Sequence, residues 1–467
     1  MSCDSMTTIR NREVALLAIV GLIAAYFMIW PVWRAWFPLD IGPTDGWNAY
    51  FQDLAFGPGL YPAADALVAN NYPPLSFYFI AALGKVFGDP LYVGRAVSIL
   101  ATLGIGIGTG VVIRQLGGGR FASIFAGLWV VAILARSFNS YVGRNDPQLL
   151  AEFIMMLGLI WFLHNRSRGF SSTMPLLLMV FAGFFKHNVV AVPLTALIWM
   201  LLHDGRKAIK PLVIVALVIS AGLLLCQLAY PTFFANMLLP RAYSFERVLI
   251  ALGRLQWVAP ALVISIVWSW RERTKTPARF TLLFVGIGLL IYLIQWTGDS
   301  VMDNAQFDLV IATAVGVGLA YNHAASLPLA PRLGVTGVRT AIVAILAMRL
   351  LATGRIEPAL ILFDSNYRAQ FPKHAAIVHA EAAKVARIPG TVFCENHIVC
   401  RLAGKPFEVD DFKTEQFVNT GRLTQAELSA LFDRRGVTNF GSDPATRAES
   451  LNRDIFATRD PPVAARN

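Results

Sequence analysis

Charge is scarce in this sequence. Of 467 residues only 15% are Asp, Glu, Lys or Arg, while 56% are hydrophobic. A soluble globular protein carries about a quarter charged residues. Long runs here hold no charge at all, which excludes an ordinary soluble enzyme and leaves an integral membrane protein. Four cysteines in this length do not make a disulfide scaffold. No repeat of solenoid type is found, which sets aside a stacked-repeat architecture. The net charge of +11 is not a nucleic-acid footprint. The basic residues sit in short loops between apolar runs, where they set orientation in a membrane.

An apolar run of about 20 residues spans the hydrocarbon core. Eleven stretches qualify as helical spans: 14–33, 90–113, 121–136, 147–164, 174–185, 189–203, 210–230, 257–270, 280–296, 305–321 and 335–352. The span at 257–270 has an uncertain start, and 74–87 is amphipathic and suits the membrane interface. Within 174–203 the polar break Lys186-His187-Asn188 predicts a tight helical hairpin with that break at its tip. Alternate loops differ in basic content, fourteen Lys and Arg on one set against seven on the other. The positive-inside rule then puts the N-terminus in the cytoplasm. The first run lacks an A-x-A-like cleavage site and reads as an uncleaved signal anchor. The expectation is a multi-pass protein of the inner (plasma) membrane with its C-terminus outside.

Beyond about residue 355 the composition turns globular. HAAIVHAEAAKVAR (374–387) has helical periodicity, and TVFCEN (391–396) reads as a short strand. LTQAELSALFDRRG (423–436) opens with a Thr-x-x-Glu capping box and stops at Gly436. The reading is a transmembrane domain over 1–353, whose first outer loop is 34–88, followed by a small α/β extracytoplasmic domain over 354–467 with a loose tail at 454–467. Cys394 and Cys400 are open to a disulfide or to two free thiols. His397 between them is only a faint metal signal, because a fourth ligand is missing. Cys3 and Cys226 are incidental.

Polar residues collect in the outer loops, in DIGPTDGWNAYFQDL (40–54), NNYPPLSFY (70–78), RSFNSYVGRND (136–146), FFKHN (184–188) and TGDSVMDNAQFD (297–308). Each has a structural reading beside a functional one. Asp45 suits the N-cap of a helix over WNAYFQDLA. Asp146, ahead of Pro147, suits an N-cap as well. Arg144 can pair with Asp146 or with lipid headgroups, and Lys186 can snorkel to the interface. Asp299 and Asp303 can belong to a solvated helix start. Asp308 falls inside an apolar span, where a carboxylate needs a partner or water. Tyr72-Pro73-Pro74 sets a rigid extended turn. Together, the carboxylates Asp45, Asp146 and Asp308 share one membrane face with the cations Arg144 and Lys186 and with His187. Carboxylates can act as a general base, and cations can hold a phosphate.

The order of these features resembles the GT-C superfamily of polyprenyl-phosphate-sugar glycosyltransferases. It is most similar to the family 39-like branch that includes protein O-mannosyltransferases and the lipid A aminoarabinose transferase. An early-loop aspartate is followed by Gly59-Leu60-Tyr61-Pro62, then by NYPPL (71–75), an R-x-D at the next outer loop, and the lysine-bearing hairpin GFFKHNVVAVP (183–193). DNAQFD (303–308) is similar to a late segment bordering the cavity. AGKP with a following Asp, in VFCENHIVCRLAGKPFEVDDF (392–412), resembles the outer domain of many members. The resemblance covers roughly residues 10–350 in layout. It departs where the family often has Asp-Glu, since Asp45 is followed here by Gly46.

The resemblance implies an all-α polytopic GT-C bundle with a small C-terminal α/β extracytoplasmic domain. It implies an inverting transferase that moves a sugar from a polyprenyl phosphate to a hydroxyl of an extracytoplasmic glycan, lipid or protein. On that reading Asp45 is the general base, while Lys186, Arg144 and His187 hold the donor phosphate. Asp146, Tyr72, Asn304 and Asp308 then bind acceptor or sugar. No cofactor is expected. The alternative is a divalent metal at Asp45 and Asp146, disfavoured because loop one has no D-x-D. Partners are the lipid donor, the acceptor and membrane lipids, with no nucleic acid. The competing reading is a glycolipid transporter or flippase without transferase chemistry. Transporters show inverted repeats and helices broken near the bilayer centre, whereas the polar residues here cluster at one rim.

Overall fold

A computed structural model describes residues 3–352 and 354–453; the expected tail at 454–467 lies outside the described residues. The first part is helical: α1 (Cys3–Arg34), α2 (Pro43–Asp53), α3 (Leu75–Phe87), α4 (Pro90–Gln115), α5 (Arg120–Ser137), α6 (Gln148–Arg168), α7 (Thr173–Gly183), α8 (Ala191–Asp204), α9 (Ile209–Ala229), α10 (Phe233–Met237), α11 (Arg247–Arg254), α12 (Ala259–Arg271), α13 (Thr276–Trp296), α14 (Phe307–Asn322) and α15 (Ala330–Leu351). The rest holds α16 (Glu357–Phe363), α17 (Ser365–Ala386), β1 (Val392–Cys394), α18 (His397–Leu402), α19 (Asp411–Asn419), α20 (Gln425–Arg435) and β2 (Thr438–Phe440).

All eleven expected spans are helices, but fewer are long enough to cross a membrane alone. Among the described residues seven stretches are long and apolar enough, one of them running Ala191–Ala229 through α8 and α9. An eighth arises if α11 and α12, bent by 84° at their junction, count as one. That bend is where the uncertain start of the 257–270 span lies. The expected spans outside these seven stretches are α7, α12 and α14. The 16 residues of α14 reach only about 24 Å at 1.5 Å per residue, less than the ~30 Å hydrocarbon core. Every residue from Phe307 to Tyr321 is buried, so α14 meets protein all round and has no lipid face to satisfy. The chain is thus a multi-pass membrane protein.

Close packing at small residues holds the bundle. A Cβ on Gly127 would stand 2.6 Å from the Gly106 carbonyl oxygen, so α4 and α5 cross with backbones in contact, as membrane helices do at glycine. The alternate loops gather at one end. Arg34 of α1 donates to Val142 O at 3.1 Å, Leu75 N bonds Phe184 O at 3.2 Å, and Asn70 N bonds Asn236 Oδ1 at 2.9 Å. At the opposite end Gly119 N bonds Asn322 Oδ1 at 2.7 Å, and Arg339 pairs with Glu13 at 2.6 Å.

The C-terminal part sits on the loop end. β1 and β2 pair in parallel, Val392 against Thr438. The capping box at Thr424 and Glu427 opens α20, and Gly436 closes it at φ 61°, as the sequence predicts. Cys394 and Cys400 are joined in a disulfide. This part shares a core with the bundle: Trp30, Leu39 and Tyr50 pack in one buried cluster with Tyr367, Phe371, Val378 and Ile398. Backbone bonds add to it, Asp40 N to Thr446 O and Asp410 N to Leu67 O, each 3.0 Å.

Candidate active site

The loop between α5 and α6 carries Arg144-Asn145-Asp146, and three neighbours hold it. Arg34 grips its start from α1. Ser98 of α4 donates to Tyr141 O at 3.0 Å and accepts from Gly143 N at 3.2 Å. Gly143 takes φ 74°, a left-handed turn that costs glycine little. Asn145 then locks the loop to α2: its side-chain amide exchanges two 2.8 Å bonds with Gln52.

Asp146 serves two purposes. Its Oδ1 accepts from Gln148 N at 2.9 Å, one residue ahead of the expected place, since Pro147 is the N-cap of α6. It also faces Lys186 Nζ at 3.6 Å and accepts from the Thr44 hydroxyl at 2.7 Å. Burial works to raise this carboxyl, but Lys186, Arg144, Thr44 and the Gln148 N–H together hold it below its ordinary range. Lys186 stands at the tip of the α7–α8 hairpin. It does not snorkel: it is 3% exposed, with Nζ 3.2 Å from the centre of the Tyr72 ring. Burial pushes the ammonium down to about 8 despite Asp146.

Arg144 is fully buried, and its guanidinium nitrogens make no hydrogen bond of good geometry, although the Tyr141 side chain bears on them. It does not form the expected pair with Asp146. Its guanidinium lies 4.8 Å from the Tyr141 ring centre. His187 is accessible yet ringed by protein, 6.4 Å ring to ring from Tyr72. That enclosure, with the charges of Lys186 and Arg241, pushes its imidazole down to about 4.

Asp45, the carboxylate expected to be the general base, is held on both oxygens by its neighbours. It lies in the first turn of α2, which Gly42 and Pro43 begin, rather than capping a helix that starts after it. It is wholly buried, and both oxygens are taken. Arg95 of α4 closes on it as an ion pair, Asn145 N donates at 2.7 Å, and Ile41 N donates at 3.3 Å. The divalent-metal alternative does not fit this donor set, because Asp45 already faces Arg95 and Asp146 faces Lys186. Among the described residues no cluster of three or more His, Cys, Asp or Glu gathers as a metal site.

Asn304 and Asp308 bond to groups other than the cations. Asn304 accepts from the Tyr141 hydroxyl and donates to Gln148 Oε1, both at 2.9 Å. Asp308 lies within α14 and accepts from Ala191 N at 3.2 Å. Asp299 and Asp303, read as solvated, instead pair with Arg247 and Arg254 at 3.0 and 2.5 Å. A small cavity borders Asp146, lined by Gln52, Ser76, Asn145, Ile80, Val97 and Leu150.

Several site residues were not singled out from the sequence. Arg95 and Glu152 each put a charge inside an otherwise apolar span, the signal that should have marked them. Arg241 reaches in from the loop before α11 and bears on Lys186, His187 and Tyr72. Burial pushes Asp40 up to about 7, with Asp45 adding to the shift. Gly46 stands where no larger side chain fits. A Cβ there would stand 2.8 Å from both His397 Cβ and Ile398 N, so the C-terminal part occupies the space of a second carboxylate.

No family model matches the sequence, and no curated protein matches it. Solved structures do resemble it. ArnT from Cupriavidus metallidurans in the apo state is 16% identical, with a TM-score of 0.54 over 92% of this chain and 90% of that one. The same protein bound to undecaprenyl phosphate is 15% identical, with a TM-score of 0.52 over 91% and 89%. The likeness spans nearly the whole of both chains and establishes that they share a fold.

Proposed function

We propose that the chain is a membrane glycosyltransferase that takes a sugar from a polyprenyl phosphate and transfers it to a hydroxyl of an acceptor outside the cytoplasm. The observation that carries this reading is Arg144, a buried guanidinium that faces the Tyr141 side chain and makes no hydrogen bond of good geometry to the protein, set close to the buried Lys186. Burying an unpaired charge is costly, and an arginine fork matches phosphate oxygens. A phosphate seated between Arg144, Lys186 and Arg241 removes that cost.

In the reaction the acceptor oxygen attacks the anomeric carbon. The bond from that carbon to the phosphate oxygen breaks, and the lipid phosphate leaves as an anion held by the cations. The configuration inverts in one displacement, so a single base suffices. Both carboxylates carry protein donors; on this reading Asp146, which borders the cavity and whose Oδ2 is held by the Thr44 hydroxyl rather than by a guanidinium, takes the acceptor proton. Asp45, with four donors on its two oxygens, positions α2 and the 144–146 loop instead.

The test is release of free polyprenyl phosphate by the purified protein, given a panel of polyprenyl-phosphate sugars and a crude envelope acceptor. Asp146→Asn is expected to lower the rate about 10²- to 10⁴-fold, the usual share of a general base. Folded Asp45→Asn is expected to lose far less. The reverse ranking moves the base to Asp45. Equal release by wild type and both variants overturns the site.

A further inference from the structure

Below the site a line of hydrogen bonds runs into the bundle. The Tyr141 hydroxyl donates to Asn304, Asn304 Nδ2 donates to Gln148 Oε1, and Gln148 Nε2 donates to Glu152 Oε1 at 3.0 Å. Glu152 on α6 meets Asp308 on α14, and both are buried. Each carboxyl has one oxygen satisfied, Glu152 Oε1 by Gln148 and Asp308 Oδ2 by Ala191 N. The remaining two, Glu152 Oε2 and Asp308 Oδ1, have no N–H or hydroxyl donor. Among the described residues no other titratable side chain on the helices packed around them bears on either group.

Two ionised carboxylates cannot sit in contact away from water with no cation between them. We infer that Glu152 and Asp308 share one proton across these two oxygens, and that the pair fixes the Gln148–Asn304–Tyr141 line and with it the aromatic seat under Arg144. This inference rests on the lipid-phosphate reading for its purpose, though not for its proton. Glu152 and Asp308 are positioning residues. They reach the phosphate site through Tyr141 and do not touch the reacting atoms. An acidic residue in a membrane span is expected to face such a partner, and a fully connected line of this kind holds its members in one arrangement.

The test uses the full chain in detergent or lipid, with two readouts. The first is the infrared stretch of a protonated carboxyl, compared between wild type and Glu152→Gln. The Gln amide N–H replaces the shared proton, so one slowly exchanging carboxylic-acid band is lost; Asp308→Asn loses the same band. The second is binding of undecaprenyl phosphate. Glu152→Gln keeps wild-type affinity, because the amide restores the line. Glu152→Leu weakens binding about fivefold, the loss of one buried hydrogen bond. An unchanged infrared band in both amide variants overturns the shared proton. Glu152→Gln binding as poorly as Glu152→Leu overturns the positioning role. If wild type binds no undecaprenyl phosphate, the lipid-phosphate reading and the positioning role fail together, and the infrared comparison still decides the proton.

Discussion

Arg95 on α4 closes on the carboxylate of Asp45 on α2, and both side chains are fully out of solvent. The same guanidinium donates to Phe37 O and Leu39 O, each at 2.6 Å. One arginine thereby ties the end of α1, the start of α2 and the top of α4. Removing one partner of a buried pair leaves the other charge uncompensated, at about 3–5 kcal/mol. Arg95→Met is expected to lower the thermal unfolding temperature strongly. Asp45→Asn/Arg95→Met should regain part of the loss, since no lone charge remains. A single variant as stable as wild type would show that the pair does not hold this end together.

The fold was largely legible in the sequence because a membrane imposes long apolar runs and a polarity at their ends. All eleven stretches fold as helices, and the loops given to one face meet at one end. The number of full crossings was not legible, because hydropathy does not reveal that α14 is enclosed by protein and so can be short. For the site, Lys186, Asp146, Arg144 and Tyr72 were legible as polar residues at a rim. The partner of Asp45 was not, since pairing between α2 and α4 is a tertiary fact. Arg95, like Glu152, carried a signal as a charge in an apolar span. The packing of His397 on Gly46 joins residues 351 positions apart, and no local pattern announces it.

Lys186 supplies a pH dependence. Its ammonium is pushed down to about 8, by burial first, against the partial support of Asp146. The charged form holds a phosphate, so binding is present below that value and is lost as pH rises through it. Lys186→Arg, which stays charged, is expected to flatten that part of the profile. Titrating undecaprenyl phosphate affinity against pH checks this, and a wild-type curve flat across about pH 7–9 would remove Lys186 from the site.

Gly46 is expected to tolerate no larger residue. Its missing Cβ faces backbone atoms of His397 and Ile398, which have less freedom to move than a flexible side-chain end. Gly46→Glu, which restores the family's second carboxylate, should push the C-terminal part off α2. Hydrogen exchange over residues 396–412 should then rise, whereas Gly183→Ala, which meets open space, should leave it unchanged. Unaltered exchange in Gly46→Glu would mean that the contact is not what keeps this position small.

The central claim is that the buried cations beside Tyr72 receive a lipid phosphate. It is tested most directly by equilibrium binding of undecaprenyl phosphate to the purified protein. Wild type is expected to saturate. Lys186→Ala and Arg144→Leu should each weaken binding about 10- to 100-fold, the value of one charge-assisted hydrogen bond. Arg166→Ala, whose partner Asp204 lies at the opposite end, should bind as wild type does. Failure of wild type to saturate, or equal affinity in all four proteins, would contradict the account.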